Sequence, residues 1–168
     1  MVSHPQSDII YPETRYALSK QIDDIAHLIL SKKKELINCN LFDGKAGIAL
    51  LYAYLTKLSS AKKYLPIVCD LLNELRDSLA NDELDHHLSS GVAGIAFTFQ
   101  HLRNIGVLDR SIDLNLSEID EFLNLGIDND FTSDNWDPLH GMVGLGFYFL
   151  ERNKETGEKK YLEKSLDL

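Results

Sequence analysis

The sequence predicts an all-α protein built as a curved, double-layered array of helix pairs, and three observations carry that prediction. Three stretches repeat one pattern, a Gly-x-x-Gly followed by an apolar run: "LFDGKAGIALLYAYL" from Leu41, "LSSGVAGIAFTFQHL" from Leu88 and "PLHGMVGLGFYFLER" from Pro138. Their first glycines, Gly44, Gly91 and Gly141, stand 47 and 50 residues apart, a spacing that fits a pair of helices with its turns. The segments between them carry apolar residues at helical period, and no stretch alternates with β-branched residues as a half-buried strand would.

Taken in order, "TRYALSKQIDDIAHLILSKKKEL" places Leu18, Ile22, Ile25, Leu28 and Ile29 on one stripe of an amphipathic helix. Lys32, Lys33 and Lys34 close it, where cations suit the helix dipole. The first motif then opens an apolar helix. "AKKYLPIVCDLLNELRDSLA" is the next amphipathic segment, with Leu65, Val68, Leu72, Leu75 and Leu79 on its stripe and Pro66 where a first turn tolerates it. After the second motif, "LSEIDEFLNLGI" starts at Ser117 as a helix cap and turns Ile119, Phe122 and Leu123 inward. "EKKYLEKSLDL" begins a further amphipathic helix behind the third motif.

Two kinds of helix therefore alternate. Those opened by Gly-x-x-Gly are apolar nearly all round and need burial on every side, so they form an inner layer; the amphipathic ones wrap it. Ile48, Ile95 and Leu145 correspond between copies, as do Ala49, Ala96 and Gly146, then Leu50, Phe97 and Phe147. The glycines are expected to permit unusual φ values and close backbone approach at the inner-helix starts, behind caps such as Asp43, Ser90 or Ser89. Bare helix N-termini would converge there on a site favouring anions. No Gly-Lys-Ser/Thr and no preceding strand support a phosphate loop.

Composition narrows the function classes. A formal charge of −9 argues against a nucleic-acid surface. No apolar run approaches the ~20 residues that a membrane span needs. "MVSHPQSDII" lacks the basic-then-apolar order of a signal peptide, so the expected location is cytoplasmic. Cys39 and Cys69 form no metal or redox motif and read as free, buried thiols. His86 and His87 are adjacent, and neighbours on a loop rarely both ligate one ion, so no metal site is expected within the chain.

The three motifs in register, with "LFDGKAGIAL" as the first, resemble the lanthionine synthetase C-like (LanC-like) family, from about Ile9 to the end. The resemblance implies an α/α toroid with inner and outer helical layers. This chain, residues 1–168 as a single all-α domain with motifs at 41–58, 88–105 and 138–152, would supply the N-terminal part, about three of seven repeats. It implies a peptide cyclase of lantibiotic biosynthesis. A cysteine thiol of a precursor peptide adds to dehydroalanine or dehydrobutyrine and closes a thioether (lanthionine) ring; a dehydratase is the expected partner. The family's zinc, held by two cysteines and a histidine, comes from later repeats. Zinc is therefore expected only through ligands absent here, and this chain alone is not expected to perform that step.

Within "WDPLHGMVG" the resemblance makes Asp137 the candidate general acid/base, in the family's Asp-x-x-x-Gly-x-x-Gly context. Asp137 is equally readable as a helix cap with Pro138 at the first helical position. Trp136 and His140 are candidate substrate-binding residues; core packing competes for the tryptophan, and a bond to a neighbouring helix end for the histidine. Two rival functions remain open. One is a non-catalytic scaffold that binds a peptide or protein; the other is a different α/α toroid enzyme, sugar-processing or terpenoid-type. The second lacks matching carboxylates, since Asp43 and Asp137 have Ser90 between them.

Overall fold

The computed structural model describes residues 12–35, 38–59, 62–109 and 116–166; the stretch read for a targeting signal, Ile9 included, lies outside these. The chain divides into two units, Met1–Leu36 and Ile37–Leu168. The first holds α1 (Pro12–Ser31) and a 3₁₀ turn, Lys33–Glu35. Its expected apolar stripe is a correction: Leu18, Ile22, Ile25 and Leu28 are exposed, and Ala26 is the buried residue.

The second unit holds α2 (Lys45–Ser59), a 3₁₀ turn at Lys62–Tyr64, α3 (Leu65–Asn81), α4 (Val92–Asn104), α5 (Leu116–Thr132), α6 (Met142–Thr156) and α7 (Lys159–Leu166). No strand occurs among the described residues. Helix α4 packs between α2 and α6; α3 lies on α2 and α4, α5 on α4 and α6, and α7 on α6. This is the double layer the repeats call for, with α2, α4 and α6 inside. Pro66 sits in the first turn of α3, and Val68, Leu71, Leu72 and Leu75 are its buried stripe. Leu123, Ile127, Leu145, Tyr148, Phe149 and Tyr161 join Ala93 and Ala96 in a core shared by α4, α5, α6 and α7. Two details of α5 differ from expectation. Ser117 lies inside the helix rather than capping it, and Phe122 is exposed.

The three motif turns share one construction, and its anchor is a residue that periodicity does not reveal. Six positions before the first glycine stand Asn38, Asp85 and Asn135. Their backbone carbonyls accept hydrogen bonds from Lys45, Val92 and Met142 N–H, the first residues of α2, α4 and α6, at 3.2, 2.8 and 3.1 Å. The first glycine touches that same residue: a Cβ on Gly141 would meet the Asn135 carbonyl oxygen at 2.5 Å. The second glycine faces the carbonyl three residues before the first; a Cβ on Gly144 would stand 2.7 Å from the Pro138 oxygen, and on Gly94 or Gly47 closer still to Leu88 or Leu41. It also meets the preceding repeat, for a Cβ on Gly94 would lie 3.1 Å from Leu41 Cβ and on Gly144 3.1 Å from Leu88 Cβ.

The glycines therefore serve close approach, not unusual torsion. Gly91 and Gly141 have φ of −118° and −149°, extended values open to any residue. Positive φ among described glycines belongs to Gly106 and Gly157, outside the motifs. Neighbouring turns are stitched together as well: Leu41 N–H donates to the Ser89 carbonyl at 2.9 Å, and Ser89 N–H to that of Leu139 at 3.0 Å. The expected side-chain caps are corrected too, because α4 and α6 start at Gly91 and Gly141 with no side chain bonded to them. Each helix start has its first N–H already taken, which weakens the anion-site reading.

Outer helices are locked by a buried polar clamp. Asp120 on α5 accepts from Arg152 Nε and Nη2 at 3.2 and 2.9 Å, from Tyr148 Oη at 2.6 Å and from Tyr161 Oη at 2.7 Å. One carboxylate thereby ties α5, α6 and α7. Burial first, then the Asp120 charge, pushes the Tyr148 phenol far above its ordinary range, so it remains a donor.

Candidate functional site

The loops leading into the second and third motifs carry most of the chemistry-bearing side chains. Between α5 and α6 the chain turns at Asp134, which takes a positive φ of 57°. It then presents Trp136, Asp137 and His140 in the segment before α6. Helix α6 begins only at Met142, so Asp137 is not its cap and Pro138 is not its first residue. Asp137 instead caps the short turn 138–140: its Oδ1 accepts from Leu139 N–H at 2.8 Å and from His140 N–H at 2.7 Å.

These bonds set its charge. The His140 and Leu139 amides stabilise the carboxylate and hold Asp137 below the usual aspartate range, with the His140 side chain, Nδ1 3.4 Å away, adding to the effect. Asp137 is thus a carboxylate at neutral pH. His140 is exposed and paired with its own turn, not with a neighbouring helix end. Trp136 is 47% exposed, edge-on to Phe131, with its Nε1–H donating to Asp134 Oδ1 at 2.5 Å; this excludes the core-packing reading.

Next to this loop lies the one before α4. His87 meets His140 edge to ring at 5.6 Å between centroids, and His86 and His87 lie 4.5 Å apart. His86 also reaches α5, where its Nε2 stands 3.1 Å from Oδ2 of buried Asp130. Sequence reasoning missed Asp130, because 44 residues separate it from His86 and helical period carries no sign of the pairing. It also missed Asp85 and Asn135, although reading the three motifs six residues further upstream exposes the Asn/Asp/Asn set.

Neither cysteine joins a ligand set. Cys39 is partly buried and Cys69 exposed, which corrects the expectation of two buried thiols. Among the described residues the one group of three His, Cys, Asp or Glu ligand atoms is His86, His87 and Asp130. Among the described residues the donors brought together are two imidazoles and a carboxylate, not the two cysteines and one histidine of the family's zinc centre.

At the other ends of the inner helices a second polar row occurs at one repeat position. Tyr54 Oη and His101 Nε2 are 2.6 Å apart, and His101 Nδ1 lies 3.5 Å from Glu151 Oε2. It links α2, α4 and α6 side to side. A cleft of about 940 Å³ lined by Arg76, Asp82, Glu83, Val92, Glu118 and Phe122 among others reaches the start of the loop before α4, but none of His86, His87, Trp136, Asp137 or His140 lines it. No helix among the described residues is long and apolar enough to cross a membrane.

Compared with known proteins, residues 35–168 match the family model described as "Lanthionine synthetase C-like protein". No curated protein matches, and no solved structure does.

Proposed function

Since the chain belongs to the lanthionine synthetase C-like family, an α/α toroid family, we propose that it forms the first repeats of a peptide cyclase that closes thioether rings. The substrate would be a precursor peptide carrying cysteine and dehydroalanine or dehydrobutyrine, the latter supplied by a dehydratase. One observation carries this reading. The third motif loop sets an ionised carboxylate, an exposed imidazole and an exposed indole side by side on open surface.

The chemistry joins the thiol sulfur to the β-carbon of the dehydro residue, and a proton must leave the thiol and reach the α-carbon. Asp137 suits the first half of that transfer, being charged when the thiol arrives. Once protonated it can return the proton to the α-carbon, with His140 beside it as a relay. Trp136 offers an apolar face to a peptide side chain. The family's zinc would supply thiolate activation, and among the described residues no two-cysteine, one-histidine set is brought together to hold it.

A scaffold reading has its own support: Leu50, Phe97 and Phe147, equivalent positions on α2, α4 and α6, all keep some exposure and form an apolar row able to hold a peptide. The two readings separate on Asp137→Asn in the full-length enzyme. Asn can keep both turn hydrogen bonds, so folding and peptide affinity should persist while ring closure slows by about 10²–10⁴-fold. Loss of alkylatable thiols in the dehydrated peptide reports closure. An unchanged rate at matched stability removes Asp137 from the mechanism and leaves the scaffold.

A further inference from the structure

We propose that His86, His87 and Asp130 form a binding site for one divalent first-row transition-metal ion, with zinc the best fit to the donor set. Two imidazoles and a carboxylate are a donor set that borderline ions such as zinc take in three-coordinate protein sites with an open fourth position. Each residue offers one ligand atom, and all of these lie within 4.8 Å of one another. The His86 Nε2 to Asp130 Oδ2 separation, 3.1 Å, is close to the edge of a tetrahedron around an ion about 2 Å from each donor.

The surroundings are shaped for these rings. His86 lies over Gly126 on α5, where a Cβ would come within 2.5 Å of the imidazole Cγ; the missing side chain is the notch that admits the ring. Asp130 lies one turn further along the same helix, so α5 supplies both the notch and the ligand. The second Asp130 oxygen is held by Asn135 Nδ2 at 3.3 Å, which orients the carboxylate from outside the donor set. On the other side, Asp85 Oδ2 stands 3.2 Å from His87 Nδ1 and accepts from Ser90 Oγ at 3.1 Å. A carboxylate on the second nitrogen of an imidazole fixes the tautomer and raises ligand basicity in metal-binding histidines.

A His86–Asp130 hydrogen bond alone would account for two of the three residues. His87 has its own partner in Asp85, yet its ring stands 4.5 Å from that of His86 and its ligand atom within 4.8 Å of those of His86 and Asp130, within reach of one ion. His86 and His87 are partly exposed and Asp130 buried, so an ion could enter from solvent and leave one position for water or substrate. This differs from the two-cysteine, one-histidine centre in both donors and place, and it does not depend on the cyclase reading.

The test uses the purified protein, stripped with a chelator and titrated with zinc chloride by calorimetry. Cobalt(II) absorption reports the coordination shell. One equivalent should bind, giving tetrahedral cobalt bands without a thiolate charge-transfer band. His87→Ala and Asp130→Asn should each weaken binding by roughly 10-fold or more, while His27→Ala and the Cys39→Ser/Cys69→Ser double variant bind as the parent does. His87→Ala guards against misfolding, because that ring bonds to no other helix. Zinc should raise the melting temperature of the parent but not of this variant. Absence of stoichiometric binding, binding retained by both ligand variants, or binding lost in the cysteine variant would each overturn the proposal.

Discussion

The second and third repeats use the same turn and put it to opposite ends. In the second, α4 is flanked on both sides: Ala93 and Gln100 are fully buried (0% exposed). In the third, the equivalent Val143 and Leu150 on α6 are 38% and 36% exposed, on the flank away from α4. Their loops differ likewise. The second turns His86 against α5, whereas the third holds Trp136, Asp137 and His140 out in solvent. What the repeats share, the Asn or Asp anchor and the two glycines, is packing. What they do not share is where the chemistry lies.

The comparison can be broken hardest at the clamp of the third repeat. Asp120→Ala strips two phenols of their carboxylate acceptor and leaves the Arg152 guanidinium only Glu155 Oε2, 3.3 Å away, as a carboxylate partner, and should cost about 3–5 kcal/mol. Hydrogen exchange should show α6 and α7 losing protection well before α3 and α4; uniform loss would mean the repeats are not separable. A smaller effect is expected at the second glycine of each motif. Gly94→Ala drives a Cβ into the Leu88 carbonyl and the Leu41 side chain, and should cost about 3 kcal/mol. Gly144→Ala has more room, at 2.7 Å from the Pro138 oxygen, and should cost less in the same denaturant melts. The reverse order would contradict the account of why the glycines are there.

Much of this was readable in advance, for physical reasons. Period, Gly-x-x-Gly spacing and apolar content place α2, α4 and α6 correctly, because burial and close approach write themselves into residue type along the chain. The reading of Asp137 as a cap of the inner helix does not hold: its carboxylate caps the short turn 138–140, and α6 starts only at Met142. The Asp120 clamp and the His86–Asp130 pairing were not legible. Their partners lie 28 to 44 residues apart on different helices, and no local pattern encodes a contact made only when layers stack. Exposure of Val143, Phe147 and Leu150 follows from the same repeat logic, because an open array of three repeats leaves its last inner helix without a next neighbour.

A gentler test concerns charge in the third loop. The Asp137 carboxylate titrates below the ordinary aspartate value because the turn amides bind its charged form. A group lowered in the folded state adds stability above its unfolded pKa and loses it as pH falls through the folded one. Carboxyl NMR should therefore find Asp137 ionised throughout the neutral and mildly acidic range. A titration at or above the ordinary value would contradict the two amide hydrogen bonds that the turn gives this carboxylate.

The most direct test of the central claim, that the third motif loop is the surface meeting the peptide, uses the chain's single tryptophan. Trp136 is half exposed beside Asp137 and His140, so its fluorescence reports that loop alone. Titrating the protein with the dehydrated precursor peptide should shift the emission to shorter wavelength and saturate, as the indole leaves water. Peptide binding measured independently by calorimetry, with no change in Trp136 emission, would place the peptide elsewhere and contradict the account.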